Sequence, residues 1–185
     1  MNDIIYIPRT GKEMMEATGG VPIRVYSNVC RDMEEEGAVK TLTRILRPYN
    51  KCIILLQDPH KMNSGHWTSV SVNPPKQEIY FFSSYGGKPD EEKNRWIPLS
   101  EQIVSNQSQN PLNDSLKEFC KLGYTIYYND FPYQREGDKT ATCGIWVAAF
   151  LNSGMNPDEF AYYTNSNGLS AFDYYRKYFL KSKSE

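Results

Sequence analysis

One of the four cysteines in the chain stands where a thiol could do chemistry. Cys143 lies between the polar loop Thr140-Ala141-Thr142 and the apolar run Gly144-Ile145-Trp146-Val147-Ala148-Ala149-Phe150-Leu151, which reads as a helix. At a helix start, unpaired backbone N–H groups and the macrodipole favour the thiolate, the nucleophilic form of cysteine. Gly144 lets the backbone come close to a substrate carbonyl, so the Cys143 amide could help bind a developing oxyanion. A buried structural role is the commoner fate of a cysteine, and it suits Cys30, Cys52 and Cys120 better, since none of these has the loop-to-helix setting. A thiol also needs a base, and the chain offers two histidines. His60 falls in the polar turn Asp58-Pro59-His60-Lys61, whereas His66 opens a predicted strand in Gly65-His66-Trp67, and a sheet holds an imidazole in place better than a turn. Cys143 and His66 are therefore the candidate nucleophile and base. A zinc site built from Cys52, Asp58, His60 and His66 would lack the paired short spacings of structural zinc sites, so no metal is expected.

The elements that must position these two side chains can be read from periodicity. Helices are predicted over Arg9 to Ala17, ended by Gly19-Gly20, and over Asp32 to Leu46, with Asp32 as N-cap and Val39, Leu42 and Leu46 on its buried face. Strands are predicted at Cys52 to Leu56, a continuous apolar run suited to the middle of a sheet, then at His66 to Val72 and at Glu78 to Phe82. The turn Asn73-Pro74-Pro75-Lys76 joins the last two as a hairpin. A polar stretch carrying Pro98 and Pro111 leads to a helix over Leu112 to Leu122 and a strand over Tyr124 to Tyr128. After the Cys143 helix, stopped by Asn152-Ser153-Gly154, two more helices are expected, one opening at Asn156-Pro157-Asp158 and one around Ser170 to Leu180. Lys181 and Lys183 would form a solvated end. The pattern is α+β, a central mixed, mainly antiparallel sheet packed against helices. With 185 residues and no repeat, residues 1–185 read as one folding unit.

Gly65-His66-Trp67, Asn73-Pro74, the segment Ile79-Tyr80-Phe81-Phe82-Ser83-Ser84-Tyr85-Gly86, and Gln134 ahead of Cys143-Gly144 occur in an order that resembles the adenain family and its relatives, the ubiquitin-like-protein proteases. Histidine precedes cysteine, the reverse of papain-like enzymes. The resemblance runs from Cys52 to Leu151 and implies the adenain-type cysteine protease fold. It makes Cys143 the nucleophile, His66 the base and later the acid toward the leaving amine, Gln134 an oxyanion donor, and Trp67 a wall of the substrate groove. The chain departs from the family at Ser83, where a carboxylate would orient the histidine. Three outcomes are open there: Ser83 orients His66 without charge, another group intrudes, or the site works as a Cys–His dyad.

The resemblance implies a cysteine endopeptidase acting on polypeptides. The size of the chain is closest to that of viral proteases, which mature capsid precursors at Gly-containing sites, so the expected partner is a capsid precursor and the expected location is the host-cell cytoplasm and the virion. Competing readings are removal of ubiquitin-like modifiers, acyl transfer to Ser, Thr or Lys, and a catalytically dead binding module, the last prompted by Ser83. Adenain is helped by DNA and a peptide cofactor. Here Lys+Arg 21 against Asp+Glu 22 gives a net charge of −1, so no obligatory nucleic-acid cofactor is expected, and no other cofactor. No predicted segment has membrane-spanning length and no signal peptide is evident, so no membrane partner is expected. The cysteines are expected to be free thiols and the protein a monomer.

Overall fold

The computed structural model describes residues 3–57, 65–105, 107 and 109–180. Its centre is a five-stranded sheet in the order β1-β2-β3-β4-β5, formed by Ile23–Val25, Lys51–Gln57, Gly65–Asn73, Glu78–Ser83 and Thr125–Tyr128. The two inner pairings, β2 with β3 and β3 with β4, are antiparallel, and the outer strands β1 and β5 pair parallel to their neighbours. The fold is thus α+β with a mixed sheet, as expected.

Side chains alternate across this sheet and feed two cores. Cys52, Ile54, Leu56, Val70, Ile79 and Phe81 meet helices α2 (Tyr26–Glu36), α3 (Ala38–Leu46) and α6 (Pro111–Lys121) on one face. Ile53, Trp67, Tyr80 and Phe82 meet α7 (Cys143–Ser153) on the other. Having helices on both faces is why β2 reads as an unbroken apolar run rather than an alternating one. Helix α7 is buried from Cys143 through Leu151, so it carries no polar face. Between the sheet and α7, Phe82 stacks on Phe150 with ring centroids 4.5 Å apart. Helices α1 (Gly11–Ala17), α8 (Pro157–Ser166) and α9 (Ala171–Tyr178) cover the far side of α7. Each of these three starts with a reciprocal capping box: Thr10 with Glu13, Asn156 with Glu159, and Ser170 with Asp173.

Three features differ from the predicted elements. The helix expected from Asp32 to Leu46 begins six residues earlier, at Tyr26, and is broken in two at Gly37, whose φ of 93° no helix can contain. The short edge strand β1 is additional. So are two short helices in the polar stretch, α4 (Glu91–Trp96) and α5 (Leu99–Val104). Asp58 and His60, of the zinc alternative, and Lys181 and Lys183 lie outside the described residues. All four cysteines are free: Cys30, Cys52 and Cys143 are buried and Cys120 is exposed.

Candidate active site

The sheet brings His66 and Ser83 to the same face. In the antiparallel pairing of β3 with β4, Ser83 lies opposite Thr68, so His66, two residues before Thr68, projects beside it. Both are buried. The imidazole Nε2 is 3.0 Å from Ser83 Oγ and 3.2 Å from Oε2 of Glu92, a residue of α4. Glu92 Oε1 in turn accepts a hydrogen bond from Ser83 Oγ. Of the three outcomes open at Ser83, the geometry realises two together: the serine contacts the imidazole, and a second group, a carboxylate, reaches the same nitrogen.

Counting donors settles the tautomer. A carboxylate has no hydrogen to give, so the single Ser83 hydroxyl hydrogen goes to Glu92, and Ser83 Oγ can only accept from His66. Nε2 must therefore carry a hydrogen, which leaves Nδ1 as the basic nitrogen. Ser83 is itself held rigidly: its N–H donates to Asn129 Oδ1, its carbonyl accepts from Asn129 Nδ2, and its Oγ also accepts the Tyr85 N–H at 3.3 Å. The rings of Tyr85 and Trp96 flank the imidazole, with centroids 4.8 Å and 5.3 Å away. Trp96 is on the same short helix as Glu92.

Cys143 comes from the opposite core, at the first residue of α7, and lines the same cleft as His66, where each side chain shifts the titration of the other. Burial opposes charge on the thiol. The His66 side chain and the backbone N–H groups of Trp67 and Gly144 more than offset it, so the thiol is held below its ordinary value. Burial likewise opposes charge on His66, but hydrogen bonds and charge from Cys143 and Glu92 outweigh it and raise the imidazole to about 9. Both shifts favour a thiolate–imidazolium pair around neutral pH.

Gln134 is also buried. Its Oε1 accepts from Ser84 Oγ at 3.1 Å, and its Nε2 faces Thr140, 2.5 Å from the carbonyl and 3.3 Å from Oγ1. Trp67 is packed in the α7 core and donates from Nε1 to the Arg9 carbonyl at 3.1 Å, yet it also lines a cleft of about 580 Å³ together with Gly65, His66, Tyr85, Gln134 and Cys143. Core residue and groove wall are thus one and the same tryptophan. The five sequence-predicted residues Cys143, His66, Gln134, Trp67 and Ser83 all gather around this cleft or directly behind it.

The sixth, Gly144, makes its closest contacts elsewhere. A Cβ on it would lie 2.9 Å from Met14 Sδ and 3.1 Å from both Cβ and Cγ of Arg9. The lack of a side chain therefore serves close packing of α7 on the N-terminal segment, while the Gly144 N–H serves the thiol. Gly144→Ala should overpack this contact by about 1–3 kcal/mol, partly offset by helix propensity of up to about 1 kcal/mol. The expected result is a melting temperature lowered by about 2–6 °C in a calorimetric scan; an unchanged or raised value would show that Met14 and Arg9 yield freely.

Glu92 is the site residue that sequence reasoning missed. The one available signal was charge order: Glu91 and Glu92 ahead of Lys93 and Arg95 is the arrangement that a short helix favours.

These observations define a class: α+β proteins in which a buried thiol, an imidazole and a carboxylate meet at one end of a mixed sheet, beside an open cleft. More particularly, the chain belongs to the same family as the uncharacterized protein V9 of Sputnik virophage, with 34% identity over 127 residues that span 68% of this chain and 69% of that protein. No protein-family model matches the chain. Among solved structures, the SUMO protease Ulp1 with its catalytic cysteine oxidized to a sulfinic acid is similar with a TM-score of 0.40 and 14% identity, over 97% of this chain and 74% of that one. The Chlamydia abortus effector protein ChlaDUB is similar with a TM-score of 0.30 and 20% identity, over 66% of this chain and 60% of that one.

Proposed function

We propose that the protein is a cysteine endopeptidase that cleaves viral capsid or virion precursor proteins. The observation that carries this reading is the buried Cys143 thiol lining the same cleft as His66, an imidazole whose Nε2 is committed to Ser83 and Glu92. That arrangement leaves Nδ1 to take the thiol proton. The thiolate sulfur attacks the scissile carbonyl carbon, forming a C–S bond while the carbonyl π pair moves to oxygen. The Gln134 amide and the backbone N–H at the start of α7 are the available donors for that oxyanion. When the intermediate collapses, the C–N bond breaks and His66 passes its proton to the leaving amine. Water then gives a proton to His66 as its oxygen attacks the thioester, and cleavage of the C–S bond releases a carboxylic acid and restores the thiol.

The cleft walled by Trp67, Tyr85 and Trp96 suits an extended polypeptide with small side chains near the scissile bond. Shared family membership with a virophage protein favours virion precursors as substrates, and action on them would place the enzyme at the assembly site in the host-cell cytoplasm and in the virion. The carboxylate of Glu92 removes the reason for reading the chain as a dead binding module, which was the lack of an acid at Ser83.

The test is incubation with virion proteins encoded beside this chain, with ubiquitin-like-modifier conjugates in parallel, followed by mass spectrometric mapping of new termini. Virion proteins should be cut, and Cys143→Ala should yield no products. Identical fragments from the Cys143→Ala protein, or cleavage confined to modifier conjugates, would refute the proposal.

A further inference from the structure

The resemblance assigns the acid of the site to the end of the strand that follows the histidine strand, yet this chain has Ser83 there, at the end of β4. We infer that Glu92, on helix α4, is the positioning residue for His66, with Ser83 as the spacer that joins the displaced carboxylate to the strand end. The inference rests on the reading of Cys143 and His66 as nucleophile and base.

Three observations support it. First, Glu92 is 4% exposed, although a glutamate is almost never fully buried unless it is paired. Its two oxygens are both used within the site: Oε1 accepts from Ser83 Oγ, and Oε2 lies 3.2 Å from His66 Nε2. Second, the carboxylate stands on the Nε2 side of the ring, where it holds the tautomer whose Nδ1 can accept the thiol proton and where it faces the positive charge of an imidazolium. Third, α4 is secured from behind by a separate buried cluster that has no contact with the thiol. Asp90, the residue before the helix, accepts from Tyr26 OH of α2 and, at 2.8 Å, from the Asn113 N–H of α6. Lys93, 1% exposed, donates to the Gln109 carbonyl and, at 3.2 Å, to Asn110 Oδ1. A six-residue helix has little stability of its own. Asp90 and Lys93, on either side of Glu92, supply the fixed platform that a relocated acid requires. Arg95 adds a tie to Glu136 in the loop between Gln134 and Cys143.

Alkylation of Cys143 by iodoacetamide as a function of pH reads thiolate content without needing a substrate, provided that the Cys143 peptide is quantified separately from the exposed Cys120 by mass spectrometry. Removing the carboxylate weakens the imidazolium, and with it the thiolate. Glu92→Gln should therefore cut the Cys143 alkylation rate at about pH 6 by about tenfold or more. Ser83→Ala, which keeps the direct contact between Glu92 and His66, should cut it by only about two- to threefold. The double variant Ser83→Asp, Glu92→Gln returns an acid to the strand end and should recover most of the rate. A purely structural Glu92 would give no such rescue. Should Glu92→Gln fail to fold by circular dichroism, Glu92→Asp, which withdraws the charge by one methylene, carries the comparison, with slowed alkylation supporting the inference and wild-type alkylation overturning it. An unchanged profile in folded Glu92→Gln likewise overturns it. Wild-type protein that shows the predicted alkylation pattern but cuts no polypeptide would instead refute the protease reading and leave Glu92 in its place.

Discussion

Replacing His66 with glutamine should lower kcat/KM for peptide cleavage by about 10⁴-fold. Glutamine preserves much of the side-chain volume and offers an amide donor to Glu92, so the buried carboxylate keeps a partner and the fold should survive. What disappears is a group that can both take and return a proton. The thiol also loses the positive neighbour that holds it below its ordinary value. Burial, the largest influence on Cys143, is then opposed only by the backbone N–H groups of Trp67 and Gly144. The variant should therefore be alkylated only at alkaline pH, above the range of an ordinary thiol at about 8.5. In the wild type, the reactive pair exists between the lowered thiol value and the imidazole value of about 9. Below the first the thiolate is protonated, and above the second the imidazolium proton is lost before it can reach the leaving amine. A kcat/KM profile with its alkaline limb near pH 9 in the wild type, and a residual rate in His66→Gln that rises with pH as the thiolate forms, is the expected outcome. Retention of activity within tenfold would remove His66 from the reaction.

The contrast between His66 and Glu92 shows what could be read from the chain and what could not. Cys143 was legible because it opens a nine-residue buried run and Gly154 stops the helix, so the sulfur had to stand at a helix start. His66 was legible because β3 pairs from Gly65 to Ser71 with an apolar strand, leaving its first residues at the sheet's end. In both cases the functional residue belongs to the element whose sequence pattern reveals it. Glu92 is not. It lies in Asp90-Glu91-Glu92-Lys93, a run that looks like a solvated surface, and its burial is imposed by its own partners on β3 and β4 and by the ties of neighbouring Asp90 to α2 and α6. A buried charge whose partners are remote in sequence leaves no local periodicity to detect. The start of α2 was hidden for a related reason. Val25 caps it without any side-chain hydrogen bond, so Asp32, a better cap by residue type, drew the boundary six residues too late.

Gln134 should contribute about 10²–10³ to kcat with little effect on KM, because an oxyanion donor acts on charge that appears only in the transition state. Its orientation is set in advance. Ser84 Oγ donates to Oε1, and the Gln134 N–H donates to the Ser84 carbonyl at 3.0 Å, so the amide nitrogen is turned toward Thr140 and the cleft. Of the two Thr140 contacts, the one to the carbonyl is short, at 2.5 Å, and the one to Oγ1 is long, at 3.3 Å. The long one is the contact that a developing oxyanion can replace, since a hydrogen bond to a charged acceptor is about twice as strong as one between neutral groups. Adjacent serines thus divide the support of the site: Ser83 meets the imidazole, and Ser84 fixes the amide. Gln134→Ala measured on a peptide identified by cleavage mapping should lose the full factor in kcat. Ser84→Ala, which keeps the backbone tie but frees the amide to turn over, should lose a smaller part of it. Equal and large losses in KM for both variants would mean that Gln134 shapes the cleft rather than stabilising charge, and would leave the backbone at the start of α7 as the source of oxyanion donors.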